Sequence, residues 1–111
     1  MAKKVIIDET KREIIKIINN LNNINFHDYV EDLAYFAEFK GEFLYLKRKE
    51  FGKISPVARM TYTGNMKKWK FAIFKWSSEE YDPDEWFFPG VEHVDGTIEG
   101  AMKAGLKAYP V

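Results

Sequence analysis

The chain reads as an α+β domain: an N-terminal helix, a four- to five-stranded antiparallel β-meander, and a C-terminal helix packed on the sheet. Three observations carry that expectation. Ile14, Ile17, Ile18 and Leu21 recur at helical spacing, the stripe of a one-sided helix. From Leu33 the period drops to two, and Lys40-Gly41 separates two alternating runs at hairpin spacing. Thr97 then precedes a run rich in Ala and Gly, Ile98 to Ala108, with the chemistry of an N-cap. A helix with one apolar face must bury it against another element, here the sheet.

The first helix is expected over about Lys11 to Asn22. Thr10-Lys-Arg-Glu13 has capping-box spacing, and Asn19, Asn20, Asn22, Asn23 and Asn25 supply a helix stop. In the first strand Leu33, Tyr35, Ala37 and Phe39 alternate with Ala34, Phe36 and Glu38. A helix over 28–38 also fits the spacing of Val30, Leu33, Ala34 and Ala37, but the aromatic content favours a strand. Glu42 to Glu50 is the second strand, with Leu44 and Leu46 on one face and Phe43, Tyr45, Lys47 and Lys49 on the other. Residues 51–56 read as a loop, Val57–Thr63 as a third strand, Gly64-Asn65 as a turn, and Trp69–Ser77 as a fourth strand. In YDPDEWFFPG, residues 81–90, Asp82-Pro83-Asp84 is turn chemistry. Trp86-Phe87-Phe88 then returns to cover the sheet edge. In the final helix Gly100 and Gly105 each cost about 1 kcal/mol against alanine, which implies close approach of that helix to the sheet.

One hundred and eleven residues make a single domain over 1–111. At 46% hydrophobic and 31% charged, the composition is that of a folded globule. Nine Phe, six Tyr and three Trp exceed what so small a core needs, so some are expected at a ligand groove or subunit interface. No cysteine is present, which excludes disulfides, thiolate metal sites and thiol catalysis. No apolar run reaches membrane-spanning length and MAKK is no signal peptide, so the expected location is cytoplasmic. Lys and Glu supply 25 of the 34 charges and glutamine is absent. That is a heat-adapted, thermophilic balance, opposed by six Asn.

The net charge is zero, yet unevenly spread. Residues 1–39 carry five basic and seven acidic side chains, residues 40–75 ten and two, and residues 76–111 two and eight. The middle of the chain is therefore a cation and the end an anion.

Few constellations carry chemistry. His27 with Glu31, and Glu92, His93 and Asp95, have ligand types but no metal-motif spacing, so no metal and no cofactor is expected. Ser55, Ser77 and Ser78 lie in no nucleophile elbow. An enzyme would have to gather His93, Asp95 and Asp84 or Glu85 around a pocket lined by Trp86 and Phe88, a minority reading. Basic residues interleaved with aromatics are the stronger signal. Tyr45, Lys47, Lys49, Arg59, Lys70 and Lys75 would form a basic-aromatic sheet face, and such surfaces bind single-stranded nucleic acid. Lysines that simply solvate an open face are the plain alternative.

RMTYTG, WKFAIFKWS, YDPDE and DGTIEGAMKAGLKAYP resemble a family of small prokaryotic proteins known as a domain of unknown function, over roughly the last two-thirds of the chain. That resemblance implies no activity, ligand or catalytic residue. Pro89-Gly90, Gly96-Thr97 and Ala101 are more weakly similar to the outline of HicB-type antitoxins, from which the acidic-aromatic stretch before them departs. Two functional readings stay open: an interaction module that self-associates as a homodimer, and a binder of single-stranded nucleic acid.

Overall fold

The computed structural model describes residues 4–27, 31–85 and 87–110. Helix α1 (Asp8–Phe26) leads into strands β1 (Leu33–Lys40), β2 (Phe43–Glu50), β3 (Lys53–Thr61), β4 (Lys70–Lys75) and β5 (Glu80–Asp82), and helix α2 (Ile98–Ala108) closes the chain. The five strands form one antiparallel meander in the order β1-β2-β3-β4-β5. Both helices pack on one face. Ile14 and Ile18 of α1 and Ala101, Met102 and Ala104 of α2 share a core with Leu44, Leu46, Met60, Phe71 and Ile73 of the sheet. The expected α+β architecture is therefore the observed one, with the fifth strand present. No helix among the described residues is long and apolar enough to cross a membrane.

Several boundaries differ from expectation, each for a local reason. Helix α1 begins at Asp8, with Ile7 at its N-cap and no side-chain cap bond; Thr10 lies inside the helix and the capping box is not used. Asp8 and Glu9 in the first turn complement the helix dipole instead. The helix also runs through the Asn cluster to Phe26, because Asn22 and Phe26 continue its buried face and Phe26 stacks on Tyr35 at 5.9 Å. The competing helix over 28–38 is a strand from Leu33 onward, and residues 28–30 lie outside the described ones.

Residues 51–56 are not a loop. Phe51 (φ 48°) and Gly52 (φ 91°) form a two-residue turn with both centres at positive φ, as tight hairpins require, and β3 starts at Lys53. Pro56 argues against a strand by its missing N–H, but the register shifts between Leu46 and Lys47, so that Ala58 and Pro56 face consecutive β2 residues and Val57 bulges. The pairing of β3 with β4 reaches only as far as Ala58, so no β4 residue stands opposite the Pro56 nitrogen.

Helix α2 is seated as its glycines imply. A Cβ on Gly105 would lie 2.6 Å from Val57 Cγ1 and 3.3 Å from the Tyr35 hydroxyl, so that glycine permits close contact with the sheet. Gly100 is small for a different reason. A Cβ there would meet Asp95 Oδ1 and the His93 carbonyl, atoms of the segment leading into the helix. Thr97 Oγ1 accepts from Gly100 N at 3.0 Å, which is the expected N-cap.

Candidate functional site

The face opposite the helices is built by the period-two residues that the core does not use. Tyr45 pairs across β2–β3 with Arg59, and Phe43 with Thr61. Thr61 pairs in turn with Lys70 and Arg59 with Ala72, and Phe74 with Tyr81 on β5. Ala72 and Phe74 are buried yet stand apart from the helix-side core, so this face has its own packed layer.

Four rings run across it in one chain, and a fifth, Trp76 in the turn past β4, continues it to the rim shared with the helix side. Centroids are 6.1 Å apart from Phe43 to Tyr45, 5.5 Å from Tyr45 to Tyr81, 5.1 Å from Tyr81 to Phe74 and 5.0 Å from Phe74 to Trp76. The Arg59 guanidinium lies 5.0 Å from the Phe43 centroid and 5.8 Å from that of Tyr81, a cation held between two ring faces. Its Nε is buried with no hydrogen-bond partner. Partial burial pushes the Tyr81 hydroxyl above its usual range, and the neighbouring Tyr45 adds to the effect.

Cations surround the rings. Lys40, Lys47, Lys49, Arg59 and Lys70 occupy positions on this face in the strand registers. Lys47 donates to Glu38 Oε2 at 2.9 Å. Of the six residues expected to form a basic-aromatic face, Tyr45, Lys47, Lys49, Arg59 and Lys70 share it. Lys75 does not. It alternates with Phe74 onto the helix side, where Nζ lies 3.1 Å from Glu85 and 3.7 Å from Asp82; the hydrogen bond from Lys75 to Glu85 is the main reason its ammonium titrates above the usual lysine range. Phe43 lies there too, on the β2 face expected to carry it with Tyr45, Lys47 and Lys49; Phe74 and Tyr81 also belong to this surface, although sequence reasoning does not assign them to it. Strand parity could have found Phe74, while Tyr81 is hidden in what reads as a turn.

The acidic segment takes the other side. After Asp82 and Glu85 engage Lys75, Gly90 packs against the Ala104 backbone of α2, and the Gly96 carbonyl accepts from Trp69 N at 2.9 Å. Within YDPDE the chain turns at Pro83-Asp84, with Asp82 Oδ1 accepting from Asp84 N at 2.9 Å, whereas Tyr81 and Asp82, expected in the turn, end β5. Phe88 anchors it by stacking on Phe71 at 6.0 Å. Phe87 is 97% exposed, and Trp86 lies outside the described residues.

The residues of the enzyme reading are spread over separate contacts. Asp95 Oδ1 accepts from both the backbone N and the hydroxyl of Thr97, which holds its carboxyl below the usual range. Glu85 and Phe88 line a cavity of about 230 Å³ that His93 and Asp95 do not line. Among the described residues no group of three His, Asp or Glu side chains is placed to hold a metal ion. A larger cleft, about 660 Å³, lies between α1 and the β1 side of the sheet and adjoins the open face at Phe36, Lys49 and Ile54. No family model, curated protein or solved structure matches this chain.

Proposed function

We propose that the protein binds single-stranded nucleic acid on the open sheet face. The observation that supports this most is the chain of rings from Phe43 to Trp76 flanked by Lys40, Lys49 and Lys70, with the acidic segment behind the sheet. Ring faces stack bases, and cations contact phosphates, so an extended polyanion with flat bases satisfies both halves of the surface. A second copy placed face to face would set like charges against each other, which disfavours this face as a self-interface. A labelled oligonucleotide at low salt should raise its fluorescence anisotropy at micromolar protein and lose binding steeply as salt is added. No response at tens of micromolar protein would remove this reading.

Self-association is a second reading with its own support. Phe87 and Trp76, 97% and 52% exposed, border the cavity that also includes Phe88 and Pro89, an apolar edge that a homodimer would cover. Sedimentation at micromolar concentration tests it, with a monomer at all salt concentrations as the contrary outcome. A cytoplasmic location belongs to the same proposal and is consistent with a chain lacking cysteine.

A further inference from the structure

Glu38 is the one carboxylate among the described strand residues of the open face. It stands directly across from Tyr45 in the β1–β2 register, and its side chain is 55% exposed. Its ion pair with Lys47 is a surface pair, and such pairs stabilise folded proteins little. On a surface for a polyanion it has two costs: it repels phosphate, and it cancels the charge of Lys47. A charge on the edge strand β1 guards it against pairing with other strands, but a lysine would do so without repelling a polyanion, whereas base recognition calls for a carboxylate.

We propose that Glu38 reads one base of the bound strand and selects guanine. This rests on the single-strand reading above. Directly paired cross-strand positions are only about 5 Å apart, so Glu38 lies within reach of the Watson–Crick edge of a base stacked on Tyr45 and turned toward β1. Ionised carboxylate is acceptor-only, with two oxygens side by side. Guanine alone offers two adjacent donors there, N1–H and the N2 amino group. Uracil and thymine place a single N–H between two carbonyls, and adenine and cytosine place their amino group beside an acceptor nitrogen. Unstacked bases in single strands are read on these edges. Lys47, released from Glu38 or shared with it, is then positioned to contact the adjoining phosphate.

The test uses short oligouridines carrying one central guanosine, inosine or uridine, with anisotropy as the readout. Guanosine should bind about tenfold tighter than uridine, the discrimination of one bidentate contact. Inosine, which keeps N1–H but lacks the amino group, should fall between them. Glu38→Gln should level the three while strengthening binding to plain oligouridine, because Lys47 is freed, and should steepen the salt dependence by about 0.7 in the log–log slope. Equal affinities in the wild-type protein, or a guanosine preference that survives in Glu38→Gln, would overturn the assignment. If plain oligouridine and the guanosine strand both fail to bind the wild type at low salt, the single-strand reading falls and this one with it.

Discussion

The amide of Asn22 meets the outer edge of β1 at both polar atoms of one residue: Nδ2 donates to the Tyr35 carbonyl at 2.8 Å, and Oδ1 accepts from Tyr35 N at 2.8 Å. An edge strand leaves such groups unpaired, and here a helix side chain replaces the missing strand. The residue is 4% exposed, so water cannot substitute. Asn22→Leu would suit the apolar stripe of α1 yet leave a buried N–H and C=O unsatisfied. It should cost about 2–3 kcal/mol, read as a lower urea midpoint at unchanged slope. Retention of wild-type stability would show that the pairing is dispensable. The sequence carries a partial signal for this role: Asn22 continues the four-residue step of Ile14 and Ile18 toward Phe26. Composition obscures it, because a run rich in Asn reads as a helix end. Arg48 is equally hard to foresee. Its parity with Leu44 and Leu46 puts it on the core side, where Nη1 donates to the Tyr35 hydroxyl at 3.1 Å and to the Tyr109 carbonyl just past α2, and Nε donates to Glu50. An arginine can continue an apolar strand face only where such partners converge, and two of them, Tyr35 and Tyr109, come from distant places in the chain, while Glu50 lies two residues along the same strand.

Among the elements, α2 shows how local rules and tertiary contact divide the work. Its start is legible, because Thr97 caps in the way its residue type favours. Its depth is legible only as a need for small residues, and the contact partner of each glycine requires the fold. Gly105→Ala would gain about 1 kcal/mol of helix propensity but drive a methyl into Val57, which is 1% exposed. The net change should be a loss of about 1–2 kcal/mol, since overpacked cores must shift backbone or rotamers. Adding Val57→Ala should restore part of that loss, and a double-mutant cycle measures the coupling; additive effects would place the strain elsewhere. The segment entering α2 gives a pH-dependent prediction. Thr97 holds the Asp95 carboxyl below its ordinary value, so the folded state favours the ionised form. That contribution is present above the unfolded pKa of about 4 and is lost as pH falls through the lower folded value. The stability gap between the wild type and Asp95→Asn should therefore be widest near neutrality and narrow below about pH 4, in urea titrations at several pH values. A gap independent of pH would mean that the ionised carboxylate is not what matters. The strands are less evenly legible. Alternation places β1 and β2 almost to the residue, whereas β3 is cut short because Pro56 resembles a loop residue unless the bulge beside it is known. The three residues of β5 carry too short a pattern to be read without β4 alongside.

At the scale of the whole molecule, the charge blocks of the sequence become two sides of one sheet. The cationic stretch 40–75 supplies the three central strands, whose outward residues interleave Lys47, Lys49, Arg59 and Lys70 with aromatic rings. The acidic stretch from Asp82 onward passes behind, because Gly90 and Gly96 let it pack tightly on α2 and on the β3–β4 connection. The charge blocks are plain in the sequence; which face each occupies depends on that route. Lys75 marks the limit of reading charge without parity: it lies five residues from Lys70, an odd step, and an odd step along a strand changes face. This gives the proposed interface an internal control. With phosphates contacted by about four of the cations on the open face, log affinity should fall against log salt with a slope near −3, taking about −0.7 per contact for single strands. Lys49→Gln and Lys70→Gln should each make the slope shallower by about 0.7. Lys75→Gln, on the helix side with its charge already met by Glu85 and Asp82, should leave it unchanged. Tyr45→Ala should cost about 1–3 kcal/mol of binding through lost stacking with little effect on the slope, since no charge is removed. Anisotropy titrations over a range of salt concentrations, with circular dichroism to confirm folding of each variant, distinguish these outcomes. If Lys75→Gln flattens the slope as much as Lys49→Gln does, the strand is not confined to the open face, and binding follows the total positive charge of the molecule rather than its arrangement.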